Sequence, residues 1–346
     1  MSALITLIWD LIDFARQLIP SPISLFCAKY RFSPSDLALP PAPDRPGGAA
    51  APAPLATVDI LSYNINNAAV TSRDRRGRIM RAITSSGADV VLLQETNPAW
   101  EARLLDDATD IASRFVHRRF RHPGASDRAA GGIAVLSRHP LGNVRILDFS
   151  ECAPGSVFPA LTFEVNIPVG TSESRGRPGH PDERIVAMHI ANVHLRPPVE
   201  SDGTAQLGTA RETEPIRMSE ARELMRRAAD PRPLHIIAGD FNEGDDAGAL
   251  SYLASLGYVD ALRRHVPRGK ETHTWPFLGN NRLLLRKRLD HVLWRGGRSL
   301  HIASDDGAWV GRGAVLRCVG CGVVTGFEDG ASDHQPVLSR FVIVDE

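Results

Sequence analysis

The sequence predicts an α/β (α+β) domain in which β-sheets pack on one another with helices outside, and three observations carry that expectation. Strand-like apolar runs outnumber long helical ones, and several follow one another with no helix between them. The chain, at 346 residues, can hold a single domain of about 250–300 residues with a sizeable core. A doubly wound parallel sheet would instead need a crossover, usually a helix, between successive strands.

Taken in order, the first element is an amphipathic helix from Ala3 to Ile19. Leu4, Leu7, Ile8, Leu11, Ile12, Ala15, Leu18 and Ile19 recur at helical spacing, Asp10, Asp13 and Gln17 form a polar stripe, and Pro20 ends the run. It is short and charged for a membrane span. Without a Lys/Arg-rich start it does not read as a secretory signal. Residues 1–35 are therefore expected to form an amphipathic helical N-terminal segment that docks on the domain or on a partner, or makes a peripheral membrane contact through residues 3–19. Residues 36–56, dense in Pro and Ala, read as a semi-rigid linker, and residues 57–346 as the folded domain.

Within that domain, 58–64 reads as the first strand, followed by a helix near 75–85 and a second strand at 89–94. Further strands are expected at 132–137, 160–165, 185–194, 234–239, 289–294 and 336–344, with helices near 211–229 and 246–256. No internal repeat is readable.

Lys plus Arg and Asp plus Glu both number 40, so the chain has no overall basic field of the kind that holds duplex DNA nonspecifically. Cysteines at 27, 152, 318 and 321 are too sparse for a disulfide framework, which points to a reducing, cytoplasmic setting. Cys318 and Cys321 have the spacing of half a zinc site or a redox motif. No second Cys/His pair matches them, so they read as ordinary buried or loop cysteines.

Acids, amides and histidines recur where the strands end, and strand ends are where a rigid scaffold presents chemistry. Asn64 closes the first strand, Gln94 and Glu95 the second, His194 another, and Gly239-Asp240-Phe241-Asn242 a fourth. Asp290 and His291 lie within Arg288-Leu289-Asp290-His291-Val292, and Ser332-Asp333-His334 precedes the last strand. Any one alone reads as a cap or turn. Together they point to a shared site.

That set suits hydrolysis of a phosphate ester. A hard divalent cation takes carboxylate and amide oxygens and leaves positions for water and phosphate; Glu95 is the first candidate ligand, with Asn64 and Asp333 beside it. Asp240 can take the proton of an attacking water, and Asn242, two residues on, points the same way along an extended segment. His334 with Asp290 as its partner can donate to the phosphate or the leaving group, and His194 offers a second donor.

In this order the segments SYNI (62–65), LLQET (92–96), GGIAVLSR (131–138), NVHL (192–195), AGDFN (238–242), RLDHV (288–292) and SDHQPV (332–337) resemble the endonuclease/exonuclease/phosphatase superfamily. Its members include DNase-type nucleases, abasic-site endonucleases, neutral sphingomyelinases, inositol-polyphosphate phosphatases and tyrosyl-DNA phosphodiesterases. The resemblance implies a four-layer sandwich of two packed mixed β-sheets flanked by helices, with magnesium as the usual metal and manganese as its substitute. It implies that Glu95 and Asn64 bind or orient the metal, Asp240 and Asn242 handle the nucleophile, and Asp290 supports His334, with Asp333 in the same shell. His194 matches the histidine of the DNase and sphingomyelinase branches, where abasic-site endonucleases usually carry a tyrosine segment.

The expected partner is a phosphoester: nucleic acid, nucleotide or phospholipid head group, handled by a monomer. Arg-rich stretches at 73–78, 118–122 and 286–288, with Thr272-His273-Thr274-Trp275 nearby, read either as contacts of a DNA endonuclease or repair phosphodiesterase or, equally, as solvated Arg-rich surface. The N-terminal helix favours a lipid, sphingomyelinase-like substrate. A non-catalytic binding module would have lost part of the site, and none of it is missing.

Overall fold

A computed structural model describes residues 54–124, 128–169, 184–198, 207–228, 233–245, 247–266, 273–278, 284–296, 299–304, 309–324 and 331–345. The N-terminal helix, almost all of the linker, Cys27 and most of the loops at 168–184, 197–211 and 277–286 lie outside the described residues. No helix among the described residues is long and apolar enough to cross a membrane.

Two mixed sheets of six strands each form the centre. In the first, β1 (Ala56–Asn64), β2 (Val90–Gln94), β3 (His117–Arg121), β4 (Ile133–Ser137), β14 (Trp309–Val323) and β15 (Val337–Asp345) lie in the order β3-β4-β2-β1-β15-β14. In the second, β5 (Leu141–Leu147), β6 (Ala160–Val169), β7 (Arg184–His194), β8 (Ile236–Asp240), β9 (Val259–Asp260) and β12 (Asp290–Trp294) run β5-β6-β7-β8-β12-β9. Strand β13 (Ser299–Ser304) pairs with both β14 and β7 and joins the sheets, while β10 (Trp275–Leu278) and β11 (Leu284–Lys287) make a separate hairpin.

Each sheet repeats one pattern: an antiparallel pair of steps, one parallel pair (β2 with β1, β7 with β8), then two more antiparallel steps. The sequence does not betray this pseudo-symmetry, because even the helices that join the two parallel pairs, Arg73–Ser85 and Leu207–Ala228, differ in length and sequence. Its consequence is functional. The carboxyl ends of both parallel pairs meet at the same edge of the sandwich.

Alternation along the strands sets the layers. Val58 and Ile60, Val90 and Leu92, Ile190, Ile236 and Ala238 face the core between the sheets. Their neighbours Leu61, Tyr63, Val91 and Leu93 instead pack on the helix Arg73–Ser85 through Ile79, Ala82 and Ile83, with Trp100 from the helix Pro98–Ala102. On the opposite side Ala191, Val193 and Ile237 pack on the helix Leu207–Ala228 through Ala221, Leu224 and Ala228, beside Gly248–Ser255. With both faces covered, these strands are largely apolar on both faces, as a four-layer sandwich requires, with a few buried polar residues such as Ser62 and Asn192.

Cys318 and Cys321 lie on β14 in the inter-sheet core, with Cys321 Sγ 3.0 Å from Ser339 Oγ. Burial pushes the Cys318 thiol up to about 12, so it is an inert side chain.

Gly239 is the tightest point of the β7–β8 pair. Its φ is 144°, and a Cβ there would sit 1.9 Å from the Val193 carbonyl oxygen, a backbone atom that cannot swing aside. Gly239→Ala is therefore expected to cost about 3 kcal/mol or more, read as a lowered urea midpoint. An unchanged midpoint would mean that β7 and β8 separate freely here.

Candidate functional site

The register of three adjacent strands places three titratable groups in one row. His194 lies opposite Asp240 across the β7–β8 pair, and Asp290 lies opposite Asp240 across the β8–β12 pair. The other sheet contributes Asn64 at the end of β1, whose Nδ2 donates to Asp240 Oδ2 at 3.0 Å and to Glu95 Oε1 at 3.2 Å. One amide thus ties a carboxylate from each sheet. The turn before β15 adds His334, with Nδ1 at 2.8 Å from Asp290 Oδ2 and Nε2 at 3.6 Å from Asp240 Oδ2. His194 Nε2 is also 3.6 Å from that Asp240 oxygen.

Glu95 has a φ of 59°, the left-handed region that a non-glycine residue enters at a cost of order 1 kcal/mol or more. This turn brings its Oε2 to the backbone N–H of Asn67 at 3.0 Å. Asn66, also left-handed at 55°, donates from Nδ2 to Asp333 Oδ1 at 2.8 Å. Glu95, Asp333, Asp240, Asp290, His194, His334 and Asn64 therefore share one site.

Asn242 departs from the extended path expected of it. β8 ends at Asp240, and Asn242 is left-handed with φ 53°. Its N–H donates to Asp240 Oδ1 at 2.9 Å, and its Nδ2 donates to the Leu195 carbonyl at 3.0 Å. It closes the turn that fixes the Asp240 carboxylate and ties it to the residue after His194.

Electrostatics separate the roles of the groups. Burial, with Asp290 nearby, raises the Asp240 carboxyl above its ordinary range, although His334 and His194 pull it down. Burial likewise raises Glu95 against the Asn67 N–H. For His334 burial favours the neutral ring, but Asp290 and Asp240 outweigh it and hold the imidazolium well above the usual histidine range. His194 goes the other way. Burial lowers it to about 4 despite Asp240, so at neutral pH it offers a neutral N–H, with its ring stacked on Phe158 at 4.2 Å.

Several supporting roles escape sequence reasoning. Thr274 Oγ1 accepts from the Leu289 and Asp290 N–H groups, and Ser332 Oγ donates to the Asn64 carbonyl. Just inside the site, Gln94 Nε2 donates to Asn192 Oδ1 at 2.6 Å, and Asn192 Nδ2 donates back to the Leu93 and Ala134 carbonyls, pinning the sheets together. Behind Asn242, the buried Glu243 carboxylate accepts from Arg217 at 2.8 Å and its carbonyl meets His291 Nε2 at 3.0 Å. The only sequence signal for these is a polar residue inside an apolar strand, as Asn192 is.

Glu220 forms another strut, accepting from the Arg196 N–H and meeting Ser156 Oγ. Burial lifts its carboxyl to about 7. A carboxyl raised in the folded state stabilises the fold at low pH and loses that contribution as pH climbs from about 4.5 through 7. With the side chain fully buried, the lost contribution is about 3 kcal/mol. Glu220→Gln, which keeps the donor and acceptor pattern of the protonated acid, is expected to remove this slope. Parallel wild-type and variant stability curves between pH 5 and 8 would refute it.

Four carboxylates in one cleft ask for positive charge. Among the described residues no Arg or Lys pairs with Glu95, Asp240, Asp290 or Asp333, and the ligand atoms of Asp240, Asp290 and His334 lie within 4.8 Å of one another. Four carboxylates offset by one cationic ring, His334, still leave an oxygen-rich, negative donor set of the kind that fits a hard divalent cation. Asn64 spends its Nδ2 on the carboxylates and its Oδ1 on the Asn66 N–H, so it orients Glu95.

The family model described as "Endonuclease/Exonuclease/phosphatase family" matches residues 61–334. The chain belongs to the endonuclease/exonuclease/phosphatase family. Members of this family are generally phosphoester hydrolases and typically depend on a divalent metal. The fold is shared with the human Nocturnin catalytic domain with bound sulfate, at 16% identity and a TM-score of 0.52 over 83% of this chain and 95% of that one. It is also shared with family proteins from Bacteroides vulgatus (14% identity, TM-score 0.51, 83% and 98% covered) and Leptotrichia buccalis C-1013-b (15%, 0.51, 82% and 99%). No curated protein matches the sequence.

Proposed function

We propose that this chain is a divalent-metal-dependent phosphodiesterase. The observation that supports it most is the Asn64 amide held between Glu95 and Asp240, which sets a ligand carboxylate beside a base carboxylate. Asp240, its pKa raised toward the working pH, takes the proton of a water attacking phosphorus. Asn242 fixes the Asp240 carboxylate through its N–H. His334, kept protonated and oriented by Asp290, donates from Nε2 to a phosphoryl oxygen or the leaving oxygen. His194 supplies a neutral N–H on the other side. Glu95, with Asp333 beside it, would hold a cation such as magnesium, which when bound would supply charge neutralisation at the phosphoryl oxygens.

The test is a magnesium-dependent activity panel covering an aryl phosphodiester, single- and double-stranded DNA, an abasic duplex, sphingomyelin vesicles and a phosphoinositide. Hydrolysis of at least one, lost on chelation and regained with magnesium, is expected. Turnover of none would leave the chain a binding module. Glu95→Gln is expected to raise the magnesium concentration for half-maximal rate at least about tenfold, and an unchanged titration would remove Glu95 from the ligand set.

A further inference from the structure

The two histidines beside Asp240 are held by different means. His334 is gripped through Nδ1 by the Asp290 carboxylate at 2.8 Å, an arrangement that fixes the tautomer and direction of a ring. His194 has no such grip: among the described residues no carboxylate meets its Nδ1, while Nε2 comes to 3.6 Å from Asp240. Its direction depends instead on neutral surroundings. These are the Ala130 backbone, the Phe158 ring stacked at 4.2 Å, and the chain that leaves β7 at Leu195 and Arg196.

Two of these three supports are tied to one buried side chain. Glu220, in the helix Leu207–Ala228, accepts on Oε2 from the Arg196 N–H at 2.9 Å and on Oε1 from the hydroxyl of Ser156, two residues before Phe158. Its neighbours on the same helix face brace the same two segments. Arg217 donates from Nη1 to the Arg196 carbonyl at 3.0 Å and from Nε to Glu243, the residue after Asn242. Arg227 donates to the Asp148 carbonyl, at the start of the loop that ends in Phe158. A strut that merely fastened the helix would not need both carboxylate oxygens on the two flanks of one histidine.

We infer that Glu220 is a positioning residue that aims the His194 imidazole at the phosphate, by fixing the stacked ring on one side and the outgoing chain on the other. The inference rests on the phosphodiesterase reading, in which His194 donates a neutral N–H. Such a donor helps only when it points at the oxygen where charge develops, because a hydrogen bond weakens steeply as it bends. Either form of the acid can hold both segments: ionised it accepts twice, and protonated it donates to Ser156 Oγ while still accepting from Arg196. A glutamine can do the same, whereas an alanine releases both.

Kinetics of the full chain with magnesium and an aryl phosphodiester test this, alongside NMR of its isotope-labelled histidines. Glu220→Ala is expected to lower kcat at least about tenfold with KM within about twofold, and Glu220→Gln to restore most of the rate. Ser156→Ala, a milder change at a half-buried residue, is expected to lower kcat at least about threefold. In a His194→Ala background neither alanine should cost more than about another twofold, because the group they aim is gone. Equal losses with and without His194, or undiminished kcat in the folded single variants, would overturn the inference. Where Glu220→Ala does not fold, Ser156→Ala decides by the same comparison. The His194 ring resonances, assigned by their absence from His194→Ala, are expected to shift in Ser156→Ala, and unmoved resonances would also overturn it. If the wild-type protein hydrolyses no phosphodiester, the reaction reading fails, and the NMR comparison still decides whether Glu220 sets the His194 ring.

Discussion

Asp240→Asn is expected to reduce phosphodiester hydrolysis at least about a thousandfold while the protein still folds. The carboxylate is the meeting point of the site: Oδ2 accepts from Asn64, with the Nε2 atoms of His194 and His334 each 3.6 Å away, and Oδ1 accepts from the Asn242 N–H. An asparagine amide cannot satisfy both sides. Whichever way it is turned, its NH2 faces a donor, Asn64 on one side or the Asn242 N–H on the other, at a cost of about 1–3 kcal/mol. Against that, burial already disfavours the Asp240 charge, and removing it recovers part of the cost. A modest drop in thermal midpoint with loss of turnover is therefore the expected pair of results. Retained turnover in a folded Asp240→Asn protein would mean that another group activates the water.

Some parts of this architecture are far more readable in the sequence than others, for physical reasons. β1, β2, β7 and β8 have both faces covered, so each is a largely apolar run with a polar residue at its carboxyl end, and that ending marks the site. β14 is hidden although it has fifteen residues, because four glycines interrupt its pattern and its register slips between Cys318 and Gly320. β5 is hidden because Asn143, Val144, Arg145 and Ile146 are all exposed, and a strand with no buried face has no alternation to detect. β3 is disguised as an arginine cluster. The helix Pro98–Ala102 is one turn long and is held by a single buried Trp100, whose indole donates to the Asn66 carbonyl. The site residues found by reading are those that side-chain chemistry announces. Asn66 and Asn67 are missed, and Ser332 and Thr274 are noticed without their roles, because a bond to a backbone group or a turn geometry is not announced by residue type. Asn242 shows the same limit: its residue type is informative, but its left-handed turn is a property of the fold.

His334→Ala should have two separable effects. The first is a loss of rate of about a hundred- to a thousandfold, because a cationic donor aimed at developing oxyanion charge is removed from a water-poor cleft. The second follows from what is left behind. In the intact site the imidazolium lies between Asp290 Oδ2 at 2.8 Å and Asp240 Oδ2 at 3.6 Å, and its charge holds the Asp240 pKa down against burial and against Asp290. Without it, two buried carboxylates face each other uncompensated. The Asp240 pKa must then rise, since its ionised form loses its main counter-charge. As the base works only when ionised, the acid limb of the residual rate profile should move to higher pH, and partial recovery of rate with rising pH should accompany it. A lost rate with an unmoved acid limb would place His334 at the phosphate alone, uncoupled from the base; an unchanged rate would remove it from the reaction.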